Sequence, residues 1–513
     1  MRETGSADAA HAEAVEAYDL LVVGGGINGT AVARDAAGRG LSVLLAERDD
    51  LASHTSSAST KLIHGGLRYP EQYEFRLVRE SLKEREVMLR AAPHIIWPMR
   101  FVLPYDQGLR PKWMLRAGLF LYDHLGGREL LPGTKGADLT EPPHAGFLEP
   151  RLRTGFEYSD CWVEDARLVV LNAVDAAARG ARIETRTEVH DLETIPGGYR
   201  ATLRPEGGAP RAVTARAVVN TAGAWVEDVV RRIDHGRNRT ALRLVKGSHI
   251  VTRRLYEGEH AYIFQNGDGR VIFAIPYETD FTLIGTTDVP YDPAEGPVVC
   301  SDEEIAYLCS AVNEYLAQDI APSDVVWTYS GVRPLYDDQA EDASAVTRDY
   351  VLNLEAFGEA GAAPFLTVYG GKITTSRKLA EHAMEKILPA FPDAGGDWTR
   401  GASLPGGDIP GAAFEEFLSD LLRAHPNEDA RLVRRLARAY GTRARGLLAG
   451  GLGRVFAAGL SEGEMRMLAA EEWARSADDV LWRRTKLGLH MTEAERAEVA
   501  AWWADFAGVR AAS

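Results

Sequence analysis

The sequence predicts an α/β fold in which a doubly wound domain is assembled from separated segments of the chain. Three observations support this prediction. Strand, glycine turn, helix and second strand follow one another over residues 18–48, and parallel strands need such a crossover. Residues 215–230 and 364–388 repeat the order of strand, glycine turn and helix. Residues 241–290 are β-branched and alternate apolar with polar side chains, which is typical of an antiparallel sheet.

The first of these units carries glycines at the spacing of a dinucleotide-binding turn. Gly24 and Gly26 follow an apolar strand, and Gly29 lies in the helical pattern that begins there. These glycines permit a tight turn, close approach of a pyrophosphate and close helix–strand packing, while the helix N-terminus offers free N–H groups to phosphates. Glu47 ends the second strand, where its carboxylate can accept hydrogen bonds from both ribose hydroxyls. The unit therefore predicts NAD or FAD and argues against NADP.

Two later glycine turns favour FAD over NAD. One contains Gly223, and the other contains Gly370 and Gly371 ahead of a helix whose first turn includes Thr374. The N–H groups of that helix could stabilise negative charge on a reduced flavin ring. A nicotinamide cofactor needs one such turn, whereas the longer FAD needs several from distant segments. A plain tight crossover is the alternative interpretation of each turn.

Composition excludes several classes of protein. The chain has 513 residues, of which 45% are hydrophobic and 26% charged, with a formal net charge of −16. Nucleic acid is not expected as a partner, because phosphate contacts need clustered Lys and Arg. The three cysteines form no CxxC pair, so we expect a reducing compartment and no metal site. No apolar run approaches the roughly 18 residues of a membrane-spanning helix.

Further motifs complete a resemblance to a known family. The chain resembles the FAD-dependent (respiratory, aerobic) glycerol-3-phosphate dehydrogenases, within the D-amino-acid-oxidase-like flavoprotein superfamily, from about Tyr18 through the last helices. Ser376 departs from the family, which commonly has Tyr there. The matching motifs are VVGGGINGTAVARDAAGRG, TSSASTKLIHGGLRYPEQYEFRLV, FEYSDCWVEDARLV, LVKGSHIV, IGTTD, WTYSGVRPLYDD, TRDY, GGKITTSRKLAEHA and DDVLWRRTK.

The resemblance and the composition together predict the domain organisation. A Rossmann-like FAD-binding domain is built from discontinuous segments, beside an antiparallel β-rich substrate domain and an all-helical C-terminal domain. The expected limits are a disordered tail (1–17), the FAD-binding domain (18–90, 150–240 and 325–390), the substrate domain (91–149 and 241–324), a Gly- and Pro-rich linker (391–411) and the helical domain (412–513).

The resemblance implies oxidation of sn-glycerol 3-phosphate to dihydroxyacetone phosphate, with hydride transfer from C2 to FAD N5 and electrons passed to a membrane quinone. A phosphate monoester carries about −1.5 to −2 charges and is suited to guanidinium and ammonium donors. The substrate-binding residues implied by the family motifs are Arg68, Tyr69, Arg333, Arg348 and Lys372. The expected cofactor-binding residues are Gly24, Gly26, Asn28, Gly29, Glu47, Ser56, Ser57, Thr60, Lys61, Gly223, Gly370, Gly371, Lys372 and Thr374.

Two histidines in matching motifs are candidates for the base that takes the hydroxyl proton. Histidine suits this role because its pKa lies near the working pH. We favour His249 as the base, with His64 close to the flavin and Arg333 polarising the hydroxyl oxygen. A hydrogen-bonded structural histidine is the alternative for either one. Asp288 could orient a pocket residue, but we expect it to cap a turn.

Residues 109–128 predict a surface for a membrane. Lys112 and Arg116 flank an apolar, aromatic stretch that includes Trp113 and Phe120, a combination suited to anionic lipid headgroups. We therefore expect a cytoplasmic protein that is peripheral on the inner face of the cytoplasmic membrane, and a homodimer. A core helix with basic ends is the alternative.

Three other functions remain open at this stage. An oxidase acting on glycerol 3-phosphate with dioxygen would use the same site. An amine oxidase of this fold would need one arginine for a carboxylate rather than a cluster of cations. A flavin-bound scaffold would need no base.

Overall fold

The computed structural model describes residues 15–66, 75–106, 111–234, 242–336, 349–357 and 363–512. In chain order, the strands are β1 (Glu16–Val23), β2 (Val43–Ala46), β3 (Leu62–Ile63), β4 (Ile96–Pro104), β5 (Lys135–Asp138), β6 (Thr154–Val163), β7 (Arg182–Glu184), β8 (Thr187–Ile195), β9 (Gly198–Pro205), β10 (Arg211–Asn220), β11 (Leu242–Arg253), β12 (Ala261–Gln265), β13 (Val271–Tyr277), β14 (Phe281–Gly285), β15 (Val289–Pro290), β16 (Val325–Tyr336), β17 (Val351–Ala356) and β18 (Pro364–Tyr369). The helices are α1 (Ile27–Gly38), α2 (Phe75–Ala91), α3 (Lys112–Leu125), α4 (Asp165–Ala178), α5 (Val226–Ile233), α6 (Asp302–Asn313), α7 (Ser376–Ile387), α8 (Phe414–Ala424), α9 (Ala430–Tyr440), α10 (Ala444–Gly450), α11 (Glu462–Glu471) and α12 (Glu493–Ala512).

The first sheet forms the doubly wound domain. Its strand order is β17-β18-β10-β1-β2-β7, with β9 added to β10 and β8 to β9; the five strands from β18 to β7 run parallel. Helices α1, α4 and α7 pack on one face, around residues such as Val22 and Val170. The other face, which includes Leu21 and Val218, is covered by α5 and the β8–β9 hairpin. Both faces are therefore apolar, as buried parallel strands require, and the α/β prediction is confirmed.

The second sheet is mostly antiparallel. Its order is β15-β11-β14-β13-β12-β4-β6-β3, with β16 paired to β11 and β5 to β6. Helix α6 covers one face with Leu308 and Val312, and α2 and α3 contribute Leu82 and Leu119 to the other. The antiparallel sheet predicted from residues 241–290 is present. Strands β3, β6 and β16 also join it, although the sequence assigns their segments to the FAD-binding domain, because strand pairing is decided by tertiary contacts.

The predicted tail and linker are both partly structured. Strand β1 begins at Glu16, inside the segment expected to be a tail. The Gly- and Pro-rich segment packs on α1, where the indole of Trp398 lies against Gly38 and its Nε1 donates to the carbonyl oxygen of Asp35 at 3.1 Å. The predicted linker is therefore part of the folded core. Within the described ranges, no helix is long and apolar enough to cross a membrane.

The C-terminal region is helical, as predicted, and is joined to the first domain by buried ion pairs. Helices α8 to α12 surround their own core, which includes Leu436 and Leu468. A π-helical turn at Asp479–Arg484 ends in Arg484. The two terminal nitrogens of Arg484 each contact a carboxylate oxygen of Asp50 at 2.8 Å, with both side chains buried. A bidentate pair of this kind fixes the docking geometry of the two regions.

We predict that Arg484→Gln lowers the free energy of unfolding by about 3 kcal/mol, because Asp50 loses its bidentate partner in a buried site. Arg423→Gln is the matched control: its side chain is 78% exposed, so a change within about 0.5 kcal/mol is expected. Urea denaturation followed by tryptophan fluorescence compares the two variants. Equal stabilities would show that the Arg484–Asp50 pair does not hold the domains together.

Candidate active site

The carboxyl ends of four parallel strands meet at one edge of the first sheet. β1 ends before Gly24, β2 before Glu47, β10 before Thr221 and β18 before Gly370. All four residues line a cavity of about 170 Å³, called here the cofactor cleft. Doubly wound sheets bind their ligands at this edge. The structure therefore brings together glycine turns that are far apart in the chain.

Close backbone contacts form the floor of the cofactor cleft. A Cβ on Gly29 would lie 1.9 Å from the carbonyl oxygen of Gly24, which itself has a φ of +107° that favours glycine. Gly26 precedes α1 without a side-chain cap, and the Ile27 N–H donates to Ser56 Oγ at 3.0 Å. Gly24, Gly26 and Asn28 line the cleft around the start of α1, and a helix N-terminus in this place is suited to a pyrophosphate.

Glu47 is held at the cleft by its neighbours. Its two carboxylate oxygens accept hydrogen bonds from the N–H groups of Gly25, at 2.6 Å, and Asp49, at 2.8 Å. Burial raises the pKa of Glu47, and these two donors oppose that shift. Each oxygen keeps a second lone pair. The carboxylate can therefore still accept hydrogen bonds from ribose hydroxyls, as the sequence predicts.

Asn28 connects the first and last glycine turns. Its Nδ2 donates to the carbonyl oxygen of Gly370 at 3.0 Å, and a Cβ on Gly371 would lie 3.0 Å from the same nitrogen. The Oδ1 of Asn28 is buried and accepts no hydrogen bond from the described part of the chain. An orphaned acceptor on the wall of the cleft fits a ligand with a hydrogen-bond donor. This acceptor, the glycine floor of the cleft and the Glu47 carboxylate together fit FAD.

A larger cavity of about 530 Å³, called here the substrate cavity, adjoins the cofactor cleft. The two share a wall made of Ile27, Thr55, Ser56, Pro334, Gly370 and Gly371. An elongated ligand can therefore extend from one into the other. The predicted site residues on the walls of the substrate cavity are Ser56, Thr60, His64, His249, Arg333, Gly370, Gly371, Lys372 and Thr374.

His249 is buried on β11 with its ring parallel to that of Tyr329, at a centroid distance of 4.7 Å. Its Nε2 lies 3.0 Å from Thr60 Oγ1, and its Nδ1 has no hydrogen-bond partner among the described residues. Burial and the nearby positive charges of Lys61 and Arg333 together lower the pKa of His249 to about 3. The imidazole is therefore neutral at physiological pH and can accept a proton.

Arg333 is oriented by a carboxylate. The guanidinium lies on β16, donates to the carbonyl oxygen of Thr287 at 3.0 Å and forms an ion pair with Asp288. The expectation that Asp288 only caps a turn is thus wrong: the turn after β14 brings its carboxylate to the arginine. Arg333 is 31% exposed towards the cavity, so part of its donor set remains available for an anion.

Lys61 lines neither cavity, contrary to the cofactor-binding role expected from the sequence. Its ammonium is fully buried, lies 2.7 Å from Asp165 Oδ1 and donates to the carbonyl oxygen of Ser57 at 3.1 Å. Ser57 is likewise absent from the walls of both cavities, and its hydroxyl donates to the carbonyl oxygen of His54. Both residues therefore support the loop from behind. The buried ammonium of Lys61 is tolerated because the Asp165 carboxylate balances its charge.

The other predicted residues divide between the two cavities. Gly223 lines the cofactor cleft. His64, Lys372 and Thr374 line the substrate cavity, and the backbone N–H of His64 donates to Thr374 Oγ1 at 3.3 Å. Arg68, Tyr69 and Arg348 lie outside the described residues.

Some wall residues were not anticipated. Asp268 and Arg270 lie on the turn between β12 and β13 and line the substrate cavity. Trp225 lines the cofactor cleft, with the Arg48 guanidinium 4.0 Å from its ring centroid. The turn that carries Asp268 and Arg270 has no sequence motif that indicates a binding site. Arg48 and Trp225 are distant in the chain and meet only through tertiary packing.

We predict that Gly29→Ala raises the dissociation constant of FAD about tenfold or more, because a 1.9 Å contact forces the floor of the cleft to shift. Gly446→Ala is the control, since a Cβ there meets nothing within 4 Å. Flavin absorbance per chain after purification, followed by titration with added FAD, measures the effect. If Gly29→Ala retains its full flavin content, the glycine floor is not part of the cofactor site.

Comparisons with known proteins agree with this geometry. The profile described as FAD dependent oxidoreductase matches residues 19–377. D-erythritol 1-phosphate dehydrogenase of Brucella abortus is 53% identical over 95% of this chain and 98% of its own. Glycerol-3-phosphate dehydrogenase of Pseudomonas aeruginosa is 50% identical over 94% of each chain. The crystal structure of glycerol-3-phosphate dehydrogenase from Bacillus halodurans complexed with FAD is 28% identical, covering 96% of this chain and 91% of its own, with a TM-score of 0.74. This chain therefore belongs to the family of FAD-dependent oxidoreductases.

Proposed function

We propose that this enzyme oxidises sn-glycerol 3-phosphate to dihydroxyacetone phosphate, with hydride transfer from C2 to N5 of FAD. The observation that carries the proposal is the substrate cavity, which joins the cofactor cleft and combines Arg333 and Lys372 with the neutral His249. Cations suit a phosphate monoester, and a neutral imidazole suits removal of a hydroxyl proton. Bound FAD supplies the hydride acceptor. The names of the Pseudomonas and Bacillus relatives support this choice of substrate.

The phosphate would be bound by charge-assisted hydrogen bonds. Arg333 is held in place by Asp288, so its free nitrogens can bind an oxyanion with little loss of side-chain entropy. From the family resemblance, we propose that Arg68, Tyr69 and Arg348 contribute further donors. Each such bond stabilises a complex by about 1.5 to 3 kcal/mol. Several together would select phosphorylated glycerol over glycerol itself.

His249 would accept the proton of the C2 hydroxyl. Its hydrogen bond with Thr60 fixes the ring plane, and its low pKa keeps it deprotonated before the substrate binds. A base this weak takes the proton only as the hydride leaves, when the hydroxyl becomes more acidic. We place His64 beside the flavin in this scheme. Its position on the wall of the same cavity leaves it as the alternative base.

D-erythritol 1-phosphate is the second candidate substrate. It shares the phosphate and the neighbouring secondary hydroxyl with glycerol 3-phosphate, and adds one hydroxylated carbon. The 53% identity to the Brucella enzyme favours it. Asp268 and Arg270, on the wall of the substrate cavity, provide a polar surface for an additional hydroxyl group.

We also propose a membrane surface and a quinone as the electron acceptor. The face of α3 exposes Trp113 by 70% and Phe120 by 65%, and Lys112 and Arg116 are exposed on the same helix. Apolar aromatics beside basic residues suit insertion among anionic headgroups at the inner face of the cytoplasmic membrane. The exposure argues against the alternative of a core helix. A homodimer remains a prediction from the sequence.

The central test is anaerobic stopped-flow reduction of the bound flavin. We expect bleaching with sn-glycerol 3-phosphate or D-erythritol 1-phosphate, and none with glycerol or glycine, because only the first two offer a dianion to the cations. The ratio of the second-order rate constants identifies the preferred polyol phosphate. Reoxidation by a soluble quinone or by dioxygen then separates a dehydrogenase from an oxidase. Bleaching by glycine alone would indicate an amine oxidase, and bleaching by none a scaffold.

We predict that the second-order rate constant for flavin reduction, which reports the free enzyme and is calculated for the substrate dianion, stays constant from pH 8 down to about pH 5. A base must be deprotonated, so the rate falls only as the pH approaches the lowered pKa of His249, about 3. A histidine with an ordinary pKa of about 6.5 would lower this rate constant about 30-fold at pH 5. His249→Asn should lower the limiting rate about 100-fold or more, whereas the exposed control His190→Asn should not. A normal rate in His249→Asn would transfer the role to His64.

We predict that Trp113→Ser/Phe120→Ser abolishes flotation of the enzyme with phosphatidylglycerol vesicles, because the apolar contacts of α3 are lost. Val299→Ser/Val455→Ser is the control: these side chains are 57% and 50% exposed but belong to other segments of the chain. Raising the salt concentration should weaken binding of the native enzyme. Flotation unchanged by the α3 double variant would refute the proposed membrane surface.

A further inference from the structure

A groove of about 290 Å³ lies between α2 and α7 and carries a strong positive charge. It is distinct from the cofactor cleft and the substrate cavity, with which it shares no wall residue. Six basic and three acidic side chains line it, so its wall has a net charge of +3 in a chain whose formal charge is −16. The basic residues are Arg76, Arg79, Lys83, Arg377, Lys378 and Arg400, and the acidic ones are Glu80, Glu84 and Glu381.

Two of the three carboxylates are already neutralised inside the groove. Arg377 holds Glu84 in a bidentate pair, at 2.6 and 2.7 Å, and forms a second pair with Glu381. Lys378 Nζ lies 3.1 Å from Glu381 as well. The third, Glu80, lies 3.9 Å from Arg76, so all three carboxylates have cationic partners within the cluster. They leave little negative charge to balance the remaining cations.

Three cations on the groove wall have no such partner. Arg79, Lys83 and Arg400 form no ion pair or hydrogen bond with any residue in the described part of the chain. Arg79 and Lys83 are four residues apart on α2, so they share one face of the helix, and Arg400 approaches from the turn at Thr399–Gly401. Like charges repel, and their convergence on one concave surface is stabilised when an anion binds between them.

We propose that this groove binds a phosphate ester. Guanidinium groups bind phosphate oxygens in a bidentate manner, and the flexible ammonium of Lys83 adds a third donor. A dianionic phosphate matches the unpaired cations of the wall. Two sources of this group fit the same chemistry: a soluble phosphorylated metabolite and the headgroup of an anionic phospholipid.

The groove is connected to the substrate cavity through one ion pair. Arg76, on the groove wall, pairs with Asp349, which lines the substrate cavity. Helix α7 begins at Ser376, directly after the turn that carries Lys372 and Thr374. An anion that attracts Arg76 would compete with Asp349, so the ligand of the groove is placed to influence the substrate cavity.

The test counts phosphate sites on the FAD-loaded full-length enzyme. Equilibrium dialysis with radiolabelled inorganic phosphate should reveal two classes of site in the native enzyme, the active site and the groove. Arg79→Gln/Lys83→Gln should lose one class, with at least a tenfold rise in its dissociation constant, and keep the other. Lys386→Gln/Arg431→Gln, which removes two exposed cations elsewhere, should keep both. If the groove variant keeps every class of site that the native enzyme shows, whether one or two, the proposal is overturned.

Vesicles distinguish the two sources of phosphate. If the headgroup is the ligand, vesicles of phosphatidylglycerol displace labelled phosphate from the groove class, and vesicles of phosphatidylcholine do not. If a soluble ester is the ligand, neither kind of vesicle displaces it. Because the count requires no turnover, its result is independent of the proposed oxidation of glycerol 3-phosphate. The two proposals can therefore fail separately.

Discussion

A buried ion pair between Lys61 and Asp165 fixes the segment on which both cavities depend. The two charged atoms lie 2.7 Å apart with both side chains fully buried, where either charge alone would be strongly unfavourable. Asp165 also accepts a hydrogen bond from Ser59 Oγ at 2.8 Å. The residue between Ser59 and Lys61 is Thr60, whose hydroxyl contacts His249. The pair therefore positions the loop that lines both cavities and, through Thr60, the proposed base.

The same buried charge sets the protonation state of the proposed base. Burial, then Lys61, then Arg333 lower the pKa of His249, so the free enzyme holds a neutral imidazole facing a positive cavity. A bound phosphate dianion would bring opposite charge into that cavity and move the pKa of His249 upward again. The substrate would thus make its own base stronger. Glycerol, which carries no phosphate, would lack this effect as well as the binding contacts.

Local patterns in the sequence were sufficient for the parts of the site that rest on backbone geometry. The turns at Gly24 and Gly370 and the acid at Glu47 occupy positions that strand–turn–helix order alone determines. The roles of Lys61 and Asp288 could not be predicted in this way. Lys61 pairs with a residue 104 positions away, and Asp288 with one 45 positions away. Which charges meet inside a protein depends on the packing of both sheets, which no short pattern encodes.

The helical C-terminal domain supports the substrate cavity from behind, through aromatic contacts to β16. Trp482 stacks on Trp327 at a centroid distance of 5.1 Å, and Trp327 lies 5.3 Å from Tyr329, which stacks on His249. Trp327, Tyr329 and Arg333 are separated by even numbers of residues on β16, so their side chains share one face of the strand. One end of that face is covered by the C-terminal domain and the other holds the proposed substrate. The domain is therefore a support for the base and the arginine.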